Sequence, residues 1–105
     1  MTESRARRLF VVLRARGPRF DESAPLEQQI EWKEHAAFMD ALVEEGFVVL
    51  GGPLEGTRDA LLVVRALDQA EIERRLAADP WEKRLLVTKQ ISPWRIRLSS
   101  LEKQQ

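Results

Sequence analysis

Three short segments of this chain are apolar at every position: Leu9-Phe10-Val11-Val12-Leu13, Phe47-Val48-Val49-Leu50 and Leu61-Leu62-Val63-Val64. Each is shorter than a typical helix and rich in β-branched or aromatic residues. Gly17-Pro18 follows the first and Gly51-Gly52-Pro53 closes the second, so all three are expected to be strands. A sheet with one face in water alternates apolar and polar residues along each strand, and these segments do not alternate. Both faces of a sheet built from them must therefore be covered.

The remaining elements supply too little cover. From Leu26 to Glu45 the chain is rich in helix formers, preceded by a loop containing Ser23 and Pro25 and followed by Gly46, so one helix is expected there. A second helix is announced by Asp68 as N-cap, by Glu71 three residues on, and by Leu67 and Ile72 placed as a hydrophobic staple. It should stop near Ala78, because Pro80 disfavours helical backbone at Asp79. A last extended run, from about Leu85 to Ile96, makes a fourth strand, and the Gly56 turn joins strands two and three as a hairpin. The order β-α-β-β-α-β predicts an α+β fold of ferredoxin-like arrangement, a four-stranded antiparallel sheet with two helices on one face. The other face is most economically covered by a second copy. The expectation is a homodimer whose sheets face each other as a dimeric barrel; the alternative is that loops or the tail cover the strands.

With 105 residues the chain is expected to form a single domain, 1–105, with its core at about 8–97 and flexible termini at 1–7 and 98–105. Its 17 basic and 17 acidic residues cancel, so no nucleic-acid partner is expected; Arg5, Arg7 and Arg8 read as a solvated leader. The absence of cysteine excludes disulfides, thiolate metal sites and cysteine nucleophiles. A single histidine excludes a His-rich metal cluster, and no metal or other cofactor is expected. Neither a phosphate-binding glycine loop nor a serine nucleophile elbow is present. No apolar run approaches the ~20 residues of a membrane span, and no secretory signal is visible, so a cytoplasmic protein without a membrane partner is expected.

The one histidine, His35, has Trp32, Phe38, Met39 and Leu42 as its neighbours on the first helix. An imidazole buried there without a partner would cost on the order of 1–3 kcal/mol. Glu44 lies half a turn away on the opposite side of the helix. Glu31, one turn before His35, can reach it. Asp79 is the carboxylate hardest to explain locally, because it sits at the C-terminal end of the second helix, where the macrodipole disfavours negative charge. The plainer readings are a satisfied, half-buried His35 and an Asp79 that merely helps Pro80 stop the helix. Trp81 and Trp94, each beside a proline, read as packing anchors in positions that would also suit a pocket rim.

Taken together, HAAFMDALVEEGFVVLGGP, ADPW and ISPW resemble the YciI-like (YCII-related) family, over roughly residues 8 to 97. The resemblance implies a dimeric α+β barrel and an active-site histidine and aspartate in a cleft, carried over here to His35 and Asp79. One branch of the family resembles dehydrochlorinases acting on chlorinated hydroxymuconates. Two departures, the longer loop GPRFDESAP and the tail after Ile96, keep substrate identity from being carried over.

Two functions follow as expectations. In the first, the protein is a small-molecule enzyme in which His35 is the general acid or base, since histidine ordinarily titrates near neutrality, and Asp79 fixes its tautomer. Trp32, Phe38 and Trp94 would line the pocket, and Gly52 and Pro53 would let backbone approach the substrate. Without a serine or cysteine nucleophile, elimination, lyase or hydrolase-type proton transfer fits best. In the second, the homodimer binds a metabolite or partner protein without catalysis, and His35 is a wall residue. A His35–Asp79 contact within about 3.2 Å in an open cleft would favour the first.

Overall fold

Each apolar run lies within a strand: β1 (Arg8–Arg16), β2 (Val48–Pro53) and β3 (Asp59–Ala66), although Phe47 just precedes β2. With helices α1 (Trp32–Glu44) and α2 (Gln69–Leu76) and strand β4 (Leu86–Pro93), they give the order β-α-β-β-α-β in the computed structural model, which describes residues 6–101. The four strands form one antiparallel sheet in the order β2-β3-β1-β4. This is an α+β architecture compatible with a ferredoxin-like arrangement.

The pleat separates the apolar runs into two rows with different fates. Phe10 and Val12 of β1 and Leu62 and Val64 of β3 form one core with Leu42 of α1 and Ile72 and Leu76 of α2. Both helices therefore cover the same face. The alternate row points away from the helices: Leu9, Val11, Leu13 and Leu61 are half-buried, Val63 among them is buried, and Leu50 of β2 is 62% exposed. Among the described residues no helix covers this second row.

The long first helix is shorter than expected. Leu26–Gln28 form a single 3-10 turn, Glu31 takes a left-handed backbone conformation (φ 59°), and α1 starts only at Trp32. Two side chains explain the break. Gln29 Nε2 donates to the Asp21 and Ala24 carbonyls while its Oε1 accepts from the Asp21 N–H, fastening the loop. The Trp81 indole N–H, 2.8 Å from the Ile30 oxygen, takes a carbonyl that a continuous helix would use internally.

Other ends follow the sequence more closely. Gly46 (φ 81°) ends α1, with its N–H bonded to the Val43 oxygen and that of Phe47 to the Leu42 oxygen, a Schellman cap. Asp68 accepts the Glu71 N–H at 2.9 Å, as a capping box requires, but the Glu71 carboxylate reaches one residue further back, to the Leu67 N–H. α2 ends at Leu76 and turns into Asp79, whose N–H bonds the Leu76 carbonyl. Arg7 is not a loose leader residue, because its guanidinium donates to both oxygens of Glu71 at 2.8 Å. The terminal segments expected to be flexible fall partly outside the described residues, Arg5 among them.

Candidate functional site

Helix α1 sets Trp32, His35, Met39 and Val43 on one stripe, at spacings of three, four and four. This stripe and the margin of the sheet at Gly51, Gly52 and Pro53 enclose a largely apolar cavity of about 300 Å3, with Trp81 and Arg14 also in its wall. That volume lies at the small end of ligand-binding cavities. Of the two glycines in this margin, only Gly51 lacks room for a side chain. A Cβ on Gly51 would stand 2.6 Å from Leu62 Cδ2, whereas one on Gly52 would meet nothing within 4 Å.

The polar wall is one connected network. His35 Nδ1 lies 2.9 Å from Asp79 Oδ1 and 3.1 Å from Oδ2, although the two residues are 44 positions apart. Oδ1 also accepts the Trp81 N–H at 2.9 Å, and Oδ2 accepts Arg14 Nη1 at 3.0 Å. Arg14 is 1% exposed, and its Nη2 reaches Glu82 at 2.6 Å. Burial by itself would raise the Asp79 pKa. Hydrogen bonds from His35 and the Trp81 N–H, with the charges of His35 and Arg14, outweigh it and hold the carboxyl below its ordinary value. Asp79 is thus a buried carboxylate, and the unfavourable end of α2 is offset by a guanidinium brought from β1.

A carboxylate only accepts, so His35 must carry a proton on Nδ1. The other nitrogen, Nε2, has no protein partner among the described residues and is not sealed from solvent. The ring is fixed on its other side as well. Trp81 stacks on it with centroids 3.9 Å apart and planes 4° from parallel, and is itself held by its bond to Ile30.

Of the residues singled out from sequence, the structure brings His35, Trp32, Gly52 and Pro53 together at this cavity, with Asp79 bonded to His35 but outside the lining. Phe38 instead packs against the helix-side core, and Trp94 lies at the opposite end of β1, with its N–H on the Leu9 carbonyl. Glu31, the local alternative as partner of His35, pairs with Arg84. Sequence reasoning missed Arg14, Glu82 and the stacking role of Trp81. One signal was available for Arg14: it continues the buried row Phe10, Val12, in which a cation must find anions. Among the described residues no group of three or more His, Cys, Asp or Glu side chains is placed to hold a metal ion. No helix among them is long and apolar enough to cross a membrane. A scan against family models finds no match, and searches of curated proteins and of solved structures find none.

Proposed function

We propose that the protein is a small-molecule enzyme that transfers protons through His35, working as a homodimer of ferredoxin-like protomers paired sheet to sheet. The observation that carries this reading is the 2.9 Å bond from His35 Nδ1 to a buried, ionised Asp79, with Nε2 left open at the wall of a cavity. Nε2 then removes a proton from a bound substrate or water, and the imidazolium that forms is stabilised by Asp79. Arg14 and Glu82 act through Asp79 as positioning residues. The mostly apolar wall suits a small organic substrate, and the chemistry fits elimination, lyase or hydrolase-type reactions. The resemblance to YciI-like proteins points the same way. Asp79 accepting three hydrogen bonds favours this over simple ligand binding, since a wall histidine needs only one acceptor.

A screen of activated esters, lactones and halogenated dienoic acids tests the reading. His35→Ala is expected to abolish any turnover found while circular dichroism and oligomeric state stay as in the parent. Undiminished turnover in that variant would overturn the proposal. Because the chain has a single histidine, its nitrogen NMR signals are assigned without ambiguity. The neutral ring should carry its proton on Nδ1.

A further inference from the structure

A second cavity, of about 360 Å3, adjoins the buried network that holds His35. Arg14 stands in the wall of the first cavity and Glu82 in the wall of the second, and the two side chains are bonded at 2.6 Å. No residue lines both cavities.

Three segments build the second one. Helix α2 contributes Glu73 and Leu76, three apart and so on one face, and the turn after it contributes Glu82 and Lys83. The third wall is β4, through Thr88 and Ile91. Residues three apart on a regular strand point to opposite faces. Here the register of β4 against β1 shifts between Leu13 and Arg14, so Thr88 pairs with Arg14 and Ile91 with Val12, both in the buried row. The bulge therefore turns Thr88 and Ile91 alike toward the helix side.

The unpartnered groups in this wall say what it would hold. Leu76 is buried and Ile91 half-buried, which gives an apolar floor. The Thr88 hydroxyl is buried without a partner. Lys83 has no ion-pair partner among the described residues, and its backbone is held in a left-handed conformation (φ 69°) by an N–H bond to the Leu86 carbonyl at 2.7 Å. Glu73 accepts the Gln69 amide but pairs with no cation among the described residues. Glu82 uses Oε1 for Arg14 and leaves Oε2 without a partner among them.

Charges of both signs thus border one apolar floor. An anion alone would meet two carboxylates, and a cation alone would meet Lys83. A molecule with both charges at one end and an apolar group at the other satisfies the whole wall. The C-terminal end of α2 favours positive charge, which sets the cationic group beside Glu73 and leaves the anionic group to Lys83 and the Thr88 hydroxyl.

We propose that this cavity binds a free α-amino acid with an apolar side chain. Its ammonium donates to Glu73 and Glu82, its carboxylate accepts from Lys83 and from Thr88 Oγ1, and its side chain rests on Leu76 and Ile91. The site lies beyond the proton-transfer reading and is independent of it, since binding is measured without turnover. Its occupancy is felt at His35, because the ammonium competes for the carboxylate that holds Arg14, and Arg14 bonds Asp79, the partner of His35.

Isothermal titration calorimetry on the full chain tests the site with L-leucine and L-phenylalanine, each beside its amide, which lacks the carboxylate, and its deaminated acid, which lacks the ammonium. The better amino acid should bind with a Kd of about 1 mM or tighter, and its two analogues about tenfold more weakly or worse. Thr88→Val and Lys83→Gln should each weaken it by about fivefold or more. Thr88→Val keeps the shape of the side chain, and circular dichroism checks that both variants are folded. Binding should also move the nitrogen NMR signals of His35, the only histidine in the chain. The site is overturned by parent protein that binds neither amino acid, by analogues that bind as well, or by variants that bind like the parent, which would put the ligand elsewhere. Binding that leaves the His35 signals in place would keep the site and overturn its link to His35.

Discussion

Asp79 carries more of this site than any other single residue, because one carboxylate orients the histidine, neutralises a buried arginine and holds the turn after α2 through the Trp81 N–H. Asp79→Asn keeps the shape but removes the charge, so it is expected to lower turnover by about 10^3-fold or more, as loss of a tautomer-fixing carboxylate does in general. The same change leaves Arg14 with only Glu82 in a buried setting and should cost about 3 kcal/mol at neutral pH by chemical denaturation. The pH dependence has a definite sign. Because the native pKa of Asp79 is lowered, its contribution is fully present above about pH 4, the ordinary carboxylate range, and is lost as pH falls toward the native value. The stability gap between parent and Asp79→Asn should therefore narrow on acidification. A gap that widens in acid would contradict the network as drawn. Across the β1–β4 ladder from Arg14 lies Thr88, whose hydroxyl is buried without a partner. Thr88→Val removes that orphan at constant shape and is expected to leave stability unchanged or raise it by about 1 kcal/mol, read from the denaturation midpoint.

At the scale of elements, the helix ends were legible and the helix start was not. Gly46 and the Asp68–Glu71 pair are local signals, satisfied by atoms a few residues away, and each lies where the residue types require. The start of α1 is decided instead by Trp81, whose indole claims the Ile30 carbonyl from 51 residues down the chain. No window of neighbouring residues contains that bond. Gly46→Ala is expected to cost about 1 kcal/mol, since φ 81° is strained for any side chain although nothing crowds the added methyl. Asp68→Ala should cost about as much through the lost cap, without changing the helix content measured by circular dichroism beyond the first turn of α2.

For the whole molecule, the two faces of the sheet make opposite demands. Adjacent residues of β1 separate them. Val12 is fully buried under the helices, so Val12→Lys is expected to unfold the chain, whereas Val11, half-buried on the uncovered face, should tolerate lysine as a folded monomer. Light scattering and circular dichroism together distinguish the two results. A Val11→Lys chain that remains a tight dimer would show that the second face is not the interface. The β-α-β-β-α-β element order and the two-helix layer were within reach of sequence, because strand runs, breakers and caps are local. What covers the second face was not, and among the described residues no helix lies on it.

Sequence by itself determined the α+β order, the apolar character of both sheet faces, and that one histidine would need a partner on an apolar stripe. Only the tertiary structure decided that the partner is Asp79, that hydrogen bonds from His35 and the Trp81 N–H, with the charge of Arg14, hold it ionised, and that Trp81 stacks on the ring. The reason is physical. Periodicity and capping are properties of neighbouring residues, whereas the charge state of a buried carboxylate is set by whichever groups the fold brings within hydrogen-bond reach, here from β1, from α1 and from the turn after α2.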